Sequence, residues 1–292
     1  MASTRIKRKP LAVLIATCPR IDCLLETSLP SVVAQTRKPD VLVIVTDKQP
    51  LSEVEIARIT QMLGSVGLVI LENRFSQGAA GSWNTGIDYL STHISSCFIA
   101  ILDDDDYWDW HHLAKCEEHS INAEVVISGI NIVDRHNIVT SNVPSKLSSE
   151  DFLIGNPGWQ GSNTFISLEL LNRAGRFTNG MISCNDRDLA IRVLDLSPSI
   201  KFTNQATVYW TINRREDALS AKRSPQKLVG VCDFYNKYSN RMAQRQKDLF
   251  FNRIEHLFEW TQNEIEAELG KKIIENETIE QVELKRTNNA QS

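Results

Sequence analysis

"LAVLIATC", residues 11–18, is an unbroken apolar run of strand length. Its alanines and β-branched residues suit a strand buried on both faces, and a parallel sheet is the usual host for such a strand. Three further stretches repeat the pattern: "DVLVIVTD" (40–47), "GLVILEN" (67–73) and "SCFIAILD" (96–103). Between them the apolar spacing becomes helical. "DCLLETSLPSVVAQT" (22–36) has Asp22 placed to cap and Pro30 placed to distort, "LSEVEIARITQML" (51–63) is amphipathic, and "GAAGSWNTGIDYL" (78–90) opens on small residues. Strands alternating with helices predict an α/β, doubly wound sheet. Ligands of such sheets lie beyond the carboxyl ends of the strands. The loop Thr17–Arg20, Asp47, the "ENRFSQG" loop and Asp103–Asp106 are therefore expected to share one rim.

The last of these loops carries four consecutive carboxylates, in "FIAILDDDDYWDW" (98–110). Like charges this close need a cation, a helix N-terminus or full solvation. Mg²⁺ and Mn²⁺ take one or two protein carboxylates together with ligand phosphates, and the end of a buried strand is a fitting place for them. The alternative is a solvated acidic turn capping the helix that starts near Asp109.

The second half is less regular. "AEVVISGINIVDRHNIVTS" (123–141) reads as two strands about a turn at "DRHN", and "NPGWQGSNTFIS" (156–167) as a Gly-rich loop entering a short strand. "CNDRDLAIRVLDL" (184–196) reads as a helix with an acidic start, "KFTNQATVYWTIN" (201–213) as a strand, and residues 225–270 as two helices. The polar end, residues 275–292, is expected to fray.

A 292-residue chain with 42% hydrophobic residues can bury a large core, and its net charge of −4 argues against a nucleic-acid partner. The basic cluster "RIKRKP" (5–10) reads as a solvated tail. Six scattered cysteines show neither metal-ligand spacing nor disulfide density, which predicts reduced thiols and a cytoplasmic protein. No run approaches the roughly 20 apolar residues of a membrane span, so membrane contact, if made, is expected to be peripheral.

Taken in order, "VLIATCPR", "SVVAQTRKPDVLVIVTD", "ENRFSQGAAGSWNTGI", "AILDDDDYW", "GSNTFISLELLNRAGRF" and "NDRDLAIRV" resemble the family 2 glycosyltransferases, which have the GT-A nucleotide-diphospho-sugar transferase fold. The resemblance covers roughly residues 11–220. It implies a Rossmann-like, mostly parallel sheet flanked by helices, with residues 11–135 as the nucleotide-sugar-binding half and 136–220 as the acceptor and catalytic half. Residues 1–10 would be the tail and 221–292 a C-terminal helical region.

The resemblance also implies roles. Thr17, Cys18, Pro19, Arg20, Asp47, Arg74, Asp103 and Asp104 fall on nucleotide-binding positions. Asp105, with Asp103, matches the Asp-any-Asp motif and would hold Mn²⁺ or Mg²⁺, with Asp106 behind it. Asp186 matches the catalytic base, and Asn185 stands where the family usually has Glu. Trp159, Gln160, Asn185 and Asp188 would face donor sugar and acceptor. Arg214, Arg215 and Ser220 would approach the diphosphate, near Asn213. Plainer readings stand beside these: Asp47 as a turn cap, Arg74 as solvated, Trp159 closing a core edge, Asp186 and Asp188 favoured by a helix N-terminus. Gly78, Gly81 and Trp83 read as packing residues, Tyr107 and Trp108 as support beneath the acidic loop, and His111 and His112 as surface or core residues.

The implied activity is a metal-dependent inverting transfer of a sugar from a nucleotide-diphospho-sugar, with UDP as the expected nucleotide, to an acceptor hydroxyl on a glycan, lipid, peptide or small molecule. Two alternatives are a non-catalytic nucleotide or sugar binder of the same fold and a metal-dependent nucleotidyltransferase. The latter calls for a Gly-x4-Gly-Lys-Ser/Thr loop that the sequence lacks.

Overall fold

A computed structural model describes residues 8–134, 137–212 and 221–271. Asn213, Arg214, Arg215, Ser220, the centre of the "DRHN" turn, the start of the basic tail and the polar end lie outside the described residues. The chain divides into two compact units, Met1–Arg214 and Arg215–Ser292.

The first unit is built on one nine-stranded sheet. β1 (Leu11–Thr17), β2 (Val41–Thr46), β3 (Gly67–Glu72) and β4 (Phe98–Asp103) run parallel in the order β3-β2-β1-β4. Beyond β4 the sheet is mixed. β8 (Thr164–Ser167) lies antiparallel between β4 and β6 (Val125–Asp134). β9 (Ile200–Thr211) runs parallel to β6, and the short β5 (Tyr107–Trp108) closes antiparallel on β9. β7 (Asn137–Asn142) forms a hairpin with β6.

The period of two in β1 decides which helix covers which face. Leu11, Val13 and Ile15 enter one core cluster with Leu24, Leu29 and Val32 of the helical segment α1 (residues 21–33) and Ile59 of α2 (Glu53–Leu63). Leu14 points to the other face, under α3 (Ala79–His93), where a Cβ on Gly86 would come within 2.3 Å of the Leu14 Cδ1. Glycine there lets the helix seat directly on β1 and β2.

Two expectations for α1 need adjusting. Asp22 does not cap it: Arg20 is the N-cap residue and makes no side-chain cap bond. The irregularity expected from Pro30 takes the form of a π turn, Leu24–Ser28, immediately before it. Proline has no N–H to bond back, so the regular ladder breaks at that place.

The remaining elements of this unit are α4 (His112–His119), α5 (Ser149–Ile154), α6 (Leu168–Arg173) and α7 (Asn185–Asp195). Among the described residues the second unit holds three α-helices where two were expected: α8 (Pro225–Tyr238), α9 (Gln244–Phe258) and α10 (residues 262–271). Ser224 caps α8 through the Lys227 N–H, and Phe234 stacks on Phe250 at 6.1 Å. Among the described residues no helix is long and apolar enough to cross a membrane.

Candidate active site

The parallel strand ends step across the rim through backbone bonds. The Asp47 N–H donates to the Thr17 carbonyl at 2.8 Å, and the Asn73 N–H to the Thr46 carbonyl at 2.8 Å. The Asp47 carboxylate then accepts from the Gly78 N–H at 2.7 Å and from Asn73 Nδ2 at 3.2 Å. It is a brace that folds the 73–78 loop over the sheet, which matches the turn-cap reading. The loop is tight: a Cβ on Gly81 would stand 1.9 Å from the Ser76 carbonyl oxygen. Arg74 turns outward to Asp88 at 3.5 Å, with 63% of its side chain exposed.

The acidic run alternates in burial. Asp104 and Asp106 are buried, while Asp103 and Asp105 are half-buried. Each buried member has its own anchors. Asp104 accepts from the Thr17 hydroxyl at 2.8 Å and pairs with Arg20. Asp106 accepts from the Ser162 hydroxyl at 2.6 Å and the Thr211 N–H at 3.3 Å. Arg20 also reaches Asp105, at 3.1 Å. Thr17, Arg20 and Asp104 thus form a bolt between the ends of β1 and β4, with the Thr17 and Asp104 side chains buried and bonded to each other. Cys18 is half-buried and Pro19 exposed, both on the rim. Tyr107 stacks on Tyr209 at 4.6 Å. Trp108 is core and stacks on the buried His112, whose ring nitrogen meets the Thr207 hydroxyl at 2.8 Å.

Burial and crowding set the electrostatics here. Burial, followed by the charges of Asp105 and Asp104, pushes the Asp103 carboxyl up to about 7, with Arg20 opposing and Asp186 adding to the rise. Burial also pushes Asp104 up to about 6 against the pull of Arg20. Asp106 is raised well above the carboxylate range by burial and by Asp103 and Asp105. Burial works against the Arg20 charge, but Asp104 and Asp105 outweigh it and hold the guanidinium more firmly protonated.

The influence of Asp186 on Asp103 brings the start of α7 to the same rim. Cys184 adopts a left-handed backbone (φ 63°) and turns the chain into the helix, so that Asn185 and Asp186 form its first turn. Asn156 Nδ2 donates to Asp186 Oδ2 at 2.8 Å. Asp188 lies deeper, fully buried, bonded to the Thr178 hydroxyl at 2.7 Å and to Arg192 at 2.7 Å. It ties α7 to the loop before it. Trp159 is likewise held by protein partners. Its ring is 1% exposed, edge-on to Phe152, with the indole N–H on the Thr164 hydroxyl at 2.8 Å. Gln160, half-buried, follows it, and its N–H is taken by Asn163 Oδ1 at 2.7 Å.

Several site residues escaped the sequence reading. Ser162 holds the acidic loop at two points, donating to Asp106 and accepting from the Asp103 N–H at 3.1 Å. Gly161 leaves room beside the carboxylate: a Cβ there would stand 3.3 Å from Asp103 Oδ2 and 3.5 Å from the Trp83 ring. Among the described residues six buried side-chain polar atoms have no protein partner, and the Trp83 indole N–H, Asn185 Oδ1 and Arg20 Nε are three of them. Buried groups of this kind need partners, so a polar ligand is the expected complement. Trp83, read as packing from sequence, is buried against Phe177 at 4.5 Å, yet it also borders the space above Gly161. The signal available for Gly161 and Ser162 was the density of Asn, Ser and Gly in "NPGWQGSN".

Among the described residues no group of three or more His, Cys, Asp and Glu is placed to hold a metal. Asp103 and Asp105 offer hard oxygen donors of the one-or-two-carboxylate kind, completed by ligand phosphates. Crowded, half-open carboxylates fit a divalent cation of that class.

None of the curated proteins matches the chain. Among solved structures, S. aureus TarS 1–349 in complex with UDP-GlcNAc is similar at 16% identity and a TM-score of 0.59, covering 87% of this chain and 74% of that one. The same fragment in complex with UDP gives 14% identity and a TM-score of 0.57 over 87% and 73%. At these identities the likeness is one of fold. The profile of glycosyl transferase family 2 matches residues 12–175, more than half of the chain. This chain, a GT-A-type α/β protein whose strand ends gather the acidic loop, therefore belongs to glycosyl transferase family 2 and is a glycosyltransferase.

Proposed function

We propose that the protein is a metal-dependent, inverting glycosyltransferase that moves a sugar from a UDP-sugar to an acceptor hydroxyl. The observation that carries this reading is that one loop meets both carboxylates: Asn156 donates to Asp186, in the first turn of α7, at 2.8 Å, and Gly161 lies against the carboxylate of Asp103, at the end of β4. UDP is the nucleotide of this reading because the structures of S. aureus TarS 1–349, similar in fold, are complexes with UDP-GlcNAc and with UDP.

Asp105 and Asp103 would hold Mn²⁺ or Mg²⁺, which when bound neutralises the diphosphate as it leaves. Asp186 takes the proton of the acceptor hydroxyl as that oxygen attacks the anomeric carbon. The new oxygen–carbon bond forms on one face as the carbon–oxygen bond to the diphosphate breaks on the other, releasing UDP. Asn185 Oδ1 and the Trp83 N–H supply an acceptor and a donor for sugar hydroxyls. The six free cysteines fit a cytoplasmic setting.

Calorimetry with UDP, GDP, CDP and dTDP, with and without Mn²⁺, tests the donor site. Mn²⁺-dependent UDP binding that is lost in Asp105→Ala supports the reading, and absence of nucleotide binding under every condition removes it. Asp186→Asn tests the base: UDP binding should survive while UDP release from UDP-GlcNAc falls to a small residual rate.

A further inference from the structure

The amide of Asn156 has every hydrogen-bonding position filled. Its Oδ1 accepts from the N–H groups of Gly158 and Trp159, each at 2.9 Å. Its Nδ2 donates to the Trp159 carbonyl at 2.7 Å and to Asp186 Oδ2 at 2.8 Å. Because an amide nitrogen carries two hydrogens and its oxygen two lone pairs, this set fixes which end faces Asp186. A flipped amide would oppose two backbone N–H groups with an NH₂ and turn its oxygen toward a carboxylate.

The turn that carries Asn156 is itself held from both sides. Asn142 at the end of β7 donates to the Pro157 carbonyl at 3.0 Å. Gly158 adopts φ +130° with Asn142 Nδ2 where a Cβ would come within 2.7 Å, so only glycine fits the turn. At the next position the buried Trp159 ring anchors the loop on Thr164. Asp186 Oδ1 meanwhile accepts from the Arg187 N–H at 2.9 Å. The carboxylate is thus held by its own helix through one oxygen and, through the other, by a turn bonded on both sides. A base must be held within hydrogen-bond reach of the proton it takes, and a small misplacement is costly in rate.

We infer that Asn156 is the positioning residue for Asp186: its amide aims the carboxylate at the acceptor hydroxyl without itself touching substrate. The inference rests on the reading of Asp186 as base. It predicts that Asn156 and Asp186 act as one unit in turnover and that Asn156 contributes little to donor binding.

The test is a double-mutant cycle on UDP release from UDP-GlcNAc with Mn²⁺. Asn156→Ala should lower kcat by about tenfold or more while the KM for UDP-GlcNAc stays within about threefold, and in an Asp186→Asn background it should cost nothing further. A kcat within about threefold of wild type, or an equal loss in both backgrounds, overturns the inference and leaves Asn156 as a loop residue. Asn156→Asp covers the case in which the alanine variant melts, because it keeps an oxygen for Gly158 and Trp159 and removes the N–H facing Asp186. A folded Asn156→Asp protein with wild-type kcat also overturns it. If Asp186→Asn itself retains kcat, the base reading has failed, an outcome distinct from additive losses, which remove only the role of Asn156.

Discussion

The hydroxyl of Ser162 donates to Asp106 at 2.6 Å and accepts from the N–H of Asp103 at 3.1 Å, so one side chain pins both ends of the acidic run. Asp106 is 3% exposed and Ser162 1% exposed, so neither has ready access to water in place of the other. Removing the hydroxyl strands a buried acceptor, which costs about 1–3 kcal/mol. Ser162→Ala should lower the urea midpoint accordingly and weaken Mn²⁺-dependent UDP binding, as the loop carrying Asp103 and Asp105 loosens. Denaturation and calorimetry on the same preparation check both effects. A variant as stable as wild type would show that Asp106 does not depend on Ser162.

Arg20 supports the loop from the opposite side. Asp104 is fully buried, and Arg20 is its cationic partner. Breaking a buried pair by removing one member costs about 3–5 kcal/mol, while removing both charges costs less. Arg20→Ala should therefore be strongly destabilising, and Arg20→Ala/Asp104→Asn should recover part of the loss. Urea midpoints of the two variants decide the matter. A double variant less stable than the single one contradicts the pairing.

Trp159 separates a fold role from a sugar-binding role. A ring 1% exposed and packed edge-on to Phe152 belongs to the core. Trp159→Ala should cost about 3–5 kcal/mol, as large-to-small aromatic changes in cores do. Trp159→Phe should lose only part of that and keep the KM for UDP-GlcNAc. A raised KM with unchanged stability would instead return the ring to the sugar.

His112 predicts a pH dependence of stability. Burial depresses its pKa to about 3 in the folded state, against about 6.5 when unfolded. Between those values the unfolded chain binds one more proton, so this group's contribution is complete above pH 6.5 and is lost as pH falls. At pH 5 the loss is about 2 kcal/mol. Asp103 and Asp104, raised by burial, act in the opposite sense across part of the same window. The discriminating measurement is therefore the difference between wild type and His112→Gln in urea midpoints at pH 7.5 and pH 5. The variant should be less stable at neutral pH and lose less on acidification, and equal acid losses would refute the argument.

Much of the first half of the chain was legible in the sequence because its determinants are local. The two-face burial of "LAVLIATC" and its three counterparts follows from apolar runs bounded by polar turns. Order along the chain, through the parallel-sheet rule, then places their loops on one rim. Within Asp103–Asp106 the half-buried members are Asp103, at the end of β4, and Asp105, in the turn that follows.

What only the tertiary structure decided are the roles that depend on a partner distant in the chain. Thr17 and Asp104 are 87 residues apart, Asn156 and Asp186 30, and Ser162 and Asp106 56. No periodicity within a segment encodes such pairs, because they form only when separate strands and loops are packed together. For the same reason Asp188 and Trp159, chemically suited to a substrate, were spent on Arg192 and Thr164. A side chain's type states what it can bond, and the packing around it determines whether that capacity is left for a ligand.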